Sequence, residues 1–358
     1  MKNSAGPLRP EPFDKLRTTF AEGHQPAPRQ AQRAGWRPRL VALDIDGTLV
    51  DRNGLLPRAV AEAVALILEA RVPVVLSTGR SWHGTRPLFE ELRLPPGPTV
   101  CSNGAVTVRY PPQEIIKAIT FDPRPVIAQV EDFAPGTLIA VEEIGRGYRL
   151  NDRFPGEDLT GELIIEDAEQ LSSRPVTRVI LRDPTRSEED FVALARHLGL
   201  QGVSYFVGWS AWLDIAPDGV NKATGLAEVA AGFGVSAADV LAFGDGRNDI
   251  EMLRWAGRGV AIGDAPDEVK AAADDVTETI DEGGPATELR HWMRAEPVEG
   301  HQRVSASSAH LSDEFQRSGG LSSTGPRSRF SSPRRRSSRT VLSSTSDRVA
   351  VARSSRAV

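Results

Sequence analysis

This sequence has one cysteine, no long apolar run and no segment that looks like a signal peptide. Each of these absences argues against a class of protein. A single cysteine among 358 residues leaves no intrachain disulfide and no cysteine-rich metal site. No apolar run approaches the roughly 18 residues of a membrane helix. The opening letters MKNSAG are not followed by the apolar segment of a signal peptide. We therefore expect a cytoplasmic protein with no membrane partner.

Charge is distributed unevenly along the chain. The whole sequence has a net charge of −5, with 40% hydrophobic and 25% charged residues, as in ordinary soluble proteins. Residues 301–358 carry 11 Arg and 3 acidic residues, and residues 1–37 carry 7 basic and 3 acidic residues, so residues 38–300 have a net charge of −17. This acidic body argues against general nucleic-acid binding and suits a metal-dependent site.

The two ends of the chain differ in composition from the middle. Residues 1–37 are rich in Pro, Gly, Gln and Arg, and residues 300–358 contain 17 Ser and 11 Arg with few large apolar side chains. Such segments bury too little apolar surface to offset the entropy of ordering. We predict a disordered arm over 1–37 and a disordered Ser/Arg-rich tail over 296–358. The tail leaves open another class of function, a non-catalytic scaffold or a nucleic-acid-interacting protein.

The middle of the chain alternates short apolar runs with amphipathic segments, which is typical of a parallel α/β sheet. The predicted buried strands are Leu40–Leu43, Val72–Leu76, Thr99–Cys101, Val240–Phe243 and Val260–Ile262, and the predicted helices are Arg58–Arg71 and Lys222–Gly232. Polar clusters follow the carboxyl ends of these strands, which is the edge where such sheets bind ligands. The pattern predicts a Rossmann-like core made of residues 38–106 and 215–295.

The segment between the two core portions has a different pattern. It mixes strand-like runs at Val176–Leu181 and Ser204–Val207 with a helical pattern near Glu188–His197. This mixture predicts an α+β cap domain, residues 107–214, inserted into the core. Trp209 and Trp212 lie near its end, where hinge or core packing and substrate stacking are both possible.

The most informative segment is DIDGT, residues 44–48, directly after the first strand. The spacing of Asp44 and Asp46 places both carboxylates on one side of the chain, where they repel each other unless a cation or a proton intervenes. Mg²⁺ prefers such oxygen ligands and is commonly shared with phosphate. One carboxylate could then attack phosphorus while the other protonates the leaving oxygen. An acidic turn with Gly47 at its bend would show the same pattern.

Three further segments could act on a phosphate group. The STGR segment, residues 77–80, ends the second strand, where its hydroxyl and N–H groups could hold phosphate oxygens or cap a helix. Lys222 begins a helix and could pair with phosphate and Asp44, or lie on the surface. The loop GDGRND, residues 244–249, could form a metal site or a plain turn. A calcium-binding loop that started at Asp245 would need glycine at its sixth position, and that position is Ile250.

The order and strand-end positions of these segments resemble the haloacid dehalogenase-like (HAD) superfamily of phosphotransferases, over about residues 38–292. The resemblance implies that Asp44 is the nucleophile and Asp46 the general acid/base. It implies a Mg²⁺ cofactor held by Asp44, the backbone carbonyl of Asp46, and Asp245. The other residues that it assigns to the site are Thr78, Gly79, Arg80, Lys222 and Asn248 for phosphate or substrate, with Asp249 in support.

The spacing of the motifs narrows the resemblance to a subclass. Asp44 and Thr78 are 34 residues apart, whereas Thr78 and Lys222 are 144 residues apart, so the cap must lie between the second and third motifs. Together with the SNGA segment before the cap, this arrangement resembles the Cof-type, IIB-capped branch, which has a cap of C2 type. In that branch Asn103 and Gly104 would lie near the substrate phosphate.

The resemblance implies a Mg²⁺-dependent phosphomonoester hydrolase that acts on a small phosphorylated metabolite through an aspartyl phosphate. Sugar phosphates are favoured, and a sugar phosphomutase of the same superfamily is the alternative. A cysteine phosphatase is excluded, because the position six residues after Cys101 is Thr107 and not arginine. We expect Cys101 to be a buried core residue. No P-loop motif is present.

Overall fold

The computed structural model describes residues 36–156, 159–185, 187, 203–208 and 212–294. These residues belong to the first of two compact units, Met1–Ala306. The predicted arm up to residue 35, the predicted helix near Glu188–His197, Trp209 and the predicted tail lie outside the described residues, apart from Trp36 and Arg37. Within the described part of the chain, no helix combines the length and the apolar character needed to cross a membrane.

The strands and helices alternate along the chain. In chain order the strands are β1 (Leu40–Leu43), β2 (Val74–Leu76), β3 (Gly97–Cys101), β4 (Val106–Tyr110), β5 (Glu114–Ala118), β6 (Leu138–Glu143), β7 (Gly147–Leu150), β8 (Glu162–Ile165), β9 (Val179–Arg182), β10 (Val203–Gly208), β11 (Trp212–Pro217), β12 (Val240–Gly244), β13 (Arg258–Ala261) and β14 (Asp275–Val276). The helices are α1 (Arg58–Glu69), α2 (Trp82–Glu91), α3 (Arg124–Phe133), α4 (Ala168–Leu171), α5 (Lys222–Gly232), α6 (Ile250–Trp255), α7 (Asp267–Lys270) and α8 (Gly284–Arg294).

The core sheet is parallel, with the order β14-β13-β12-β1-β2. A parallel bridge between Ser77 and Val100 places β3 beside β2. Strand β1 is central and is covered on both faces, which explains its uninterrupted apolar sequence. Its Val41 and Leu43 pack with α1 and α8, whereas its alternate residues pack with α5 and α6. The predicted α/β core with a Rossmann-like parallel sheet is confirmed.

The predicted core elements are present, with shifted ends. Strand β1 and helix α5 begin and end where the sequence predicted. Helix α1 ends at Glu69, two residues early, and Arg71 has a left-handed φ of 60°. Strand β2 begins at Val74 and not at Val72, because Pro73 has no N–H to donate to a neighbouring strand.

The inserted segment forms a second sheet with the order β10-β11-β9-β6-β7-β8, antiparallel except for the β7–β8 pair. Helix α3 packs its apolar side against β9 and β11. The predicted boundaries of the cap, residues 107 and 214, fall inside β4 and β11. Strands β3, β4 and β5 form a small antiparallel sheet, and β4 contributes to the hydrophobic core that contains α1. The division of the chain at those two residues stays a prediction.

Candidate active site

The carboxyl ends of β1 and β12 lie side by side, because these strands pair in parallel. Asp44 follows β1, and its N–H donates to the carbonyl oxygen of Phe243 in β12 (3.1 Å). Asp245 and Asp249 follow β12. Parallel register thus brings together residues that are some 200 positions apart, and Asp44 becomes almost fully buried, with 4% of its surface exposed.

Lys222 connects two of these aspartates. It is the first residue of α5, whose N-terminus is capped by the Asn221 side chain, and it has no exposed surface. Its Nζ donates to Asp44 Oδ1 (2.5 Å) and to Asp249 Oδ1 (2.7 Å). Burial by itself lowers the pKa of Lys222, but the charges of Asp249 and Asp44 outweigh it and hold the pKa above its usual range. The side chain is therefore an ammonium ion, and the prediction that it pairs with Asp44 matches the geometry.

Asp249 is held by hydrogen bonds at both oxygens. Its Oδ2 accepts the backbone N–H groups of Asp245 (3.1 Å) and Gly246 (2.9 Å), while its Oδ1 accepts the Lys222 ammonium. A carboxylate with this set of partners shapes the loop after β12 and fixes the lysine. The role that the resemblance implies for Asp249, in support of Lys222, stays a prediction.

Three carboxylates form an acidic cluster at the strand ends. Oxygen atoms of Asp44, Asp245 and Asp249 lie within 4.8 Å of one another. Burial, followed by the charge of Asp249, raises the pKa of Asp44 to about 7, although Lys222 opposes the shift. Burial and the charges of Asp44 and Asp249 raise the pKa of Asp245 to about 9. One ammonium thus balances three carboxyl groups, a donor set that suits a hard cation.

Asp245 differs from the other two aspartates of the cluster in its hydrogen bonding. Among the described residues, none donates a hydrogen bond to its carboxylate. Gly47, with a φ of 77°, lies so close that a Cβ there would sit 2.2 Å from Asp245 Oδ2. Only glycine allows both this backbone conformation and this approach. The donor set and the unpartnered carboxylate together fit a metal ion coordinated at this point.

Asp46 is turned away from the cluster. Its carboxylate, 62% exposed, accepts two hydrogen bonds from Arg80, one from Nη2 to Oδ1 (2.5 Å) and one from Nε to Oδ2 (2.9 Å). The side chain therefore leaves the metal-binding position to its neighbours. This arrangement is compatible with the expected contact through the backbone carbonyl of Asp46, and it gives Arg80 a partner that the sequence did not indicate.

The remaining predicted residues separate into two groups. Thr78 is fully buried, and its Oγ1 accepts the N–H of Arg80 (3.0 Å). A Cβ on Gly79 would lie 3.2 Å from Asn103 Oδ1 and 3.5 Å from Asn248 Nδ2, so these residues meet in one place. Gly104 forms the second group, because its nearest neighbours are backbone atoms of Asn221.

Gly104 packs against the start of α5. Its φ is 98°, and a Cβ there would lie 2.1 Å from the carbonyl oxygen of Asn221. The glycine allows this loop to touch the backbone that precedes Lys222. Its contacts in the structure are thus packing contacts, and its expected place near the phosphate stays a prediction.

Sequence reasoning missed a buried polar network that the cap contributes. Arg178, 3% exposed, donates from Nη1 to the carbonyl oxygen of Gly79 and from Nη2 to Tyr148 Oη (2.6 Å). Its guanidinium also lies 3.6 Å from Glu142 and 3.7 Å from Asp214. These residues follow no motif spacing, so no signal in one sequence could have found them.

The single cysteine and one tryptophan behave as packing residues. Cys101 is fully buried, and burial raises the pKa of its thiol to about 12, as expected of a core residue. The ring of Trp212 packs edge-on against Phe154, with 6.0 Å between ring centres. Its Nε1 donates to Asp214 Oδ1 (3.1 Å).

Comparison with known proteins defines the family. The family model of haloacid dehalogenase-like hydrolases matches residues 41–289, most of the chain. The chain therefore belongs to this family of enzymes, as the motifs predicted, and the prediction of a hydrolase is confirmed.

Individual relatives and structures are similar over nearly their whole length. Pyridoxal phosphate phosphatase YbhA of Escherichia coli is 31% identical over 268 residues, which cover 68% of this chain and 96% of that protein. The 5-amino-6-(5-phospho-D-ribitylamino)uracil phosphatase YitU of Bacillus subtilis is 29% identical over 272 residues, 72% of this chain and 98% of that protein. A solved sugar phosphatase of HAD subclass IIB shares the fold, with a TM-score of 0.61 and 24% identity over 71% of this chain and 98% of its own.

Proposed function

We propose that this protein is a Mg²⁺-dependent phosphomonoester hydrolase that releases phosphate from a small phosphorylated metabolite, with sugar phosphates favoured. The observation that carries the proposal is the buried contact between Lys222 and Asp44 beside the open carboxylate of Asp245. The names of the relatives, which are phosphatases of pyridoxal phosphate and of a phosphoribityl compound, support it.

Asp44 has the position of a nucleophile. Its carboxylate ends the central strand, and one of its oxygens is held by the Lys222 ammonium. In the proposed reaction the other oxygen attacks phosphorus, the Asp44–phosphorus bond forms and the ester bond to the leaving group breaks. Lys222 balances charge at the carboxylate and at the transferring phosphoryl group. A bound Mg²⁺, held by Asp44, Asp245 and the Asp46 carbonyl, would neutralise phosphate charge.

Asp46 handles the proton in both halves of the reaction. Its exposed carboxyl donates a proton to the departing ester oxygen. It then takes a proton from the water that attacks the aspartyl phosphate, which restores Asp44 and releases inorganic phosphate. In the structure Arg80 donates two hydrogen bonds to the Asp46 carboxylate. At least one of them must break when the leaving group approaches Asp46.

The test is phosphate release from a panel of esters that includes sugar phosphates, pyridoxal phosphate and phosphoglycolate. We expect release with Mg²⁺ and none in a chelator. Asp44→Asn should abolish release, whereas Asp132→Asn, on the exposed surface of α3, should leave it unchanged. Normal turnover by Asp44→Asn would disprove the mechanism. Conversion of a hexose 1-phosphate to the 6-phosphate without phosphate release would instead identify a mutase, and no reaction with any ester would favour a non-catalytic role.

A further inference from the structure

A row of hydrogen bonds runs from the cap sheet to the loop after β12. Asp214, in β11, accepts a hydrogen bond at Oδ2 from Asn103 Nδ2 (3.3 Å). Asn103 in turn accepts one at Oδ1 from Asn248 Nδ2 (3.0 Å). Asp214 is 9% exposed and Asn103 is fully buried. Asn103 therefore joins the cap to the loop that carries the acidic cluster.

The carboxylate sets the direction of this row. Asp214 lies beside the Arg178 guanidinium and faces N–H donors at both oxygens, so it is paired as a carboxylate, which only accepts hydrogen bonds, whereas an amide has an accepting oxygen and a donating nitrogen. Asp214 therefore turns the amide nitrogen of Asn103 toward itself and the oxygen toward Asn248. The nitrogen of Asn248 must then face Asn103. Each NH₂ group uses one N–H in the row and retains a second one.

Asp214 is itself fixed from its other side. Its Oδ1 accepts the Nε1–H of Trp212 (3.1 Å) and lies 3.7 Å from Arg178 Nη1. Oδ1 thus has one hydrogen bond and one ion-pair contact, whereas Oδ2 accepts the hydrogen bond from Asn103. The carboxylate is thus an anchored acceptor, and not a group that is free to rotate toward a ligand.

The amides lie beside the loop that the sequence assigned to phosphate. A Cβ on Gly79 would touch both the oxygen of Asn103 and the nitrogen of Asn248. Thr78, the preceding residue, accepts the backbone N–H of Asn103 at its carbonyl oxygen (3.0 Å). Free N–H groups at this point would face the phosphoryl group of an ester bound at Asp44.

We propose that Asp214 is a positioning residue of the cap that, through Asn103, orients the amide donors of Asn103 and Asn248 toward the phosphate group. This inference rests on the proposed function. It assigns to the cap an effect on phosphate affinity itself, in addition to any choice of leaving group. A residue that merely recognised the leaving group would have no effect on inorganic phosphate.

The first test uses inorganic phosphate as the probe, with Mg²⁺ present and the Kd measured by calorimetry on the full chain. Asp214→Leu should weaken phosphate binding about tenfold, the effect of one misdirected charge-assisted hydrogen bond. The phosphate Kd of Asp214→Asn should lie between those of wild type and Asp214→Leu. Asparagine keeps one accepting oxygen, which cannot serve both Trp212 and Asn103. The control is Ser102→Ala, which removes a different cap-to-core hydrogen bond, from Ser102 Oγ to Glu142 Oε2 (2.6 Å), and should change the Kd less than about twofold.

The second test is a double-mutant cycle between Asp214→Leu and Asn248→Ala. Among the described residues, the two side chains are connected by hydrogen bonds only through Asn103. Once Asn248 is removed, the loss caused by Asp214→Leu should shrink to about threefold or less, because part of the row has already gone. Additive losses would overturn the proposal.

The outcomes separate this inference from the proposed function. Unchanged phosphate affinity in Asp214→Leu, with altered relative kcat/KM across the esters, would make Asp214 a leaving-group contact and overturn the inference alone. An equal loss in Ser102→Ala would attribute the effect to general loosening of the cap and also overturn it. If wild type released phosphate from no ester, the proposed function would fail, whatever the phosphate Kd of the variants.

Discussion

Replacement of Asp245 by asparagine should stabilise the protein in a chelator while it abolishes the proposed Mg²⁺-dependent activity. The structure places Asp245 beside two other buried carboxyl groups, and burial together with their charges raises its pKa from 3.8 to about 9. In the folded protein without metal this group therefore holds a proton that the unfolded chain has lost. An amide resembles the protonated carboxyl in shape and charge, and it needs no such proton.

The size and sign of the effect follow from proton linkage. Because the folded state binds more protons than the unfolded state between pH 3.8 and about 9, the wild type loses stability as the pH rises through this window. At pH 7.5 the loss has a ceiling of about 5 kcal/mol, at about 1.4 kcal/mol for each pH unit. Asp245 is partly accessible to water, so we expect about 2–3 kcal/mol. That corresponds to roughly 5–10 °C in Tm for a domain of this size.

The assay is thermal unfolding at pH 5.5, 6.5 and 7.5, in a chelator and in Mg²⁺. In the chelator, Asp245→Asn should melt above the wild type, and the gap should widen as the pH rises. Mg²⁺ should raise the Tm of the wild type by binding only the folded state, and it should raise that of the variant much less. Asp132→Asn, an exposed aspartate of α3, should shift the Tm by less than about 1 °C throughout. A variant that melts at or below the wild type in the chelator at pH 7.5 would refute the reasoning.

Three further substitutions test the surroundings of this cluster. Lys222→Met should abolish turnover and lower the free energy of unfolding by about 3–5 kcal/mol, because buried carboxylates lose their counter-charge; urea unfolding in a chelator measures the loss. Gly47→Ala should push Asp245 from its place, so activity should need a higher Mg²⁺ concentration or vanish, as a Mg²⁺ titration will reveal. Gly104→Ala should lower the Tm far more than Gly54→Ala, since both glycines have a positive φ but a Cβ meets backbone only at Gly104. Equal losses of Tm would show that backbone strain, and not the clash, dominates.

Several features of the fold could be predicted because their causes are local. Strand β1 is four consecutive apolar residues buried on both faces, and α5 begins at a residue pair, Asn221 and Thr224, that caps the helix with reciprocal hydrogen bonds. Such patterns depend on neighbours within a few residues, so one sequence is sufficient to detect them. Polar residues after buried strands likewise indicated the edge where the site lies.

The ends of the strands and helices, and the boundaries of the inserted segment, were harder to predict from the sequence. Strand β4 spans the predicted cap boundary at residue 107, yet Val106 and Val108, on either side of that boundary, both pack in the core. Its placement depends on pairing with β3, and the period of side chains along a strand does not say which neighbour the strand will choose. The predicted arm and tail and the cytoplasmic location stay predictions.

The sequence by itself determined which chemistry this chain can carry, since DIDGT, the lone lysine at the start of α5 and the GDGRND loop supply carboxylates, an ammonium and amides at strand ends. Only the tertiary structure decided how these groups are paired. Lys222 reaches Asp44 across 178 positions because α5 packs against one face of β1 and begins beside the end of that strand. Arg80 donates hydrogen bonds to Asp46, and Asp214 of the cap accepts one from Asn103. The choice of partner for a side chain depends on distances set by packing of whole elements, and spacing along the chain does not encode those distances.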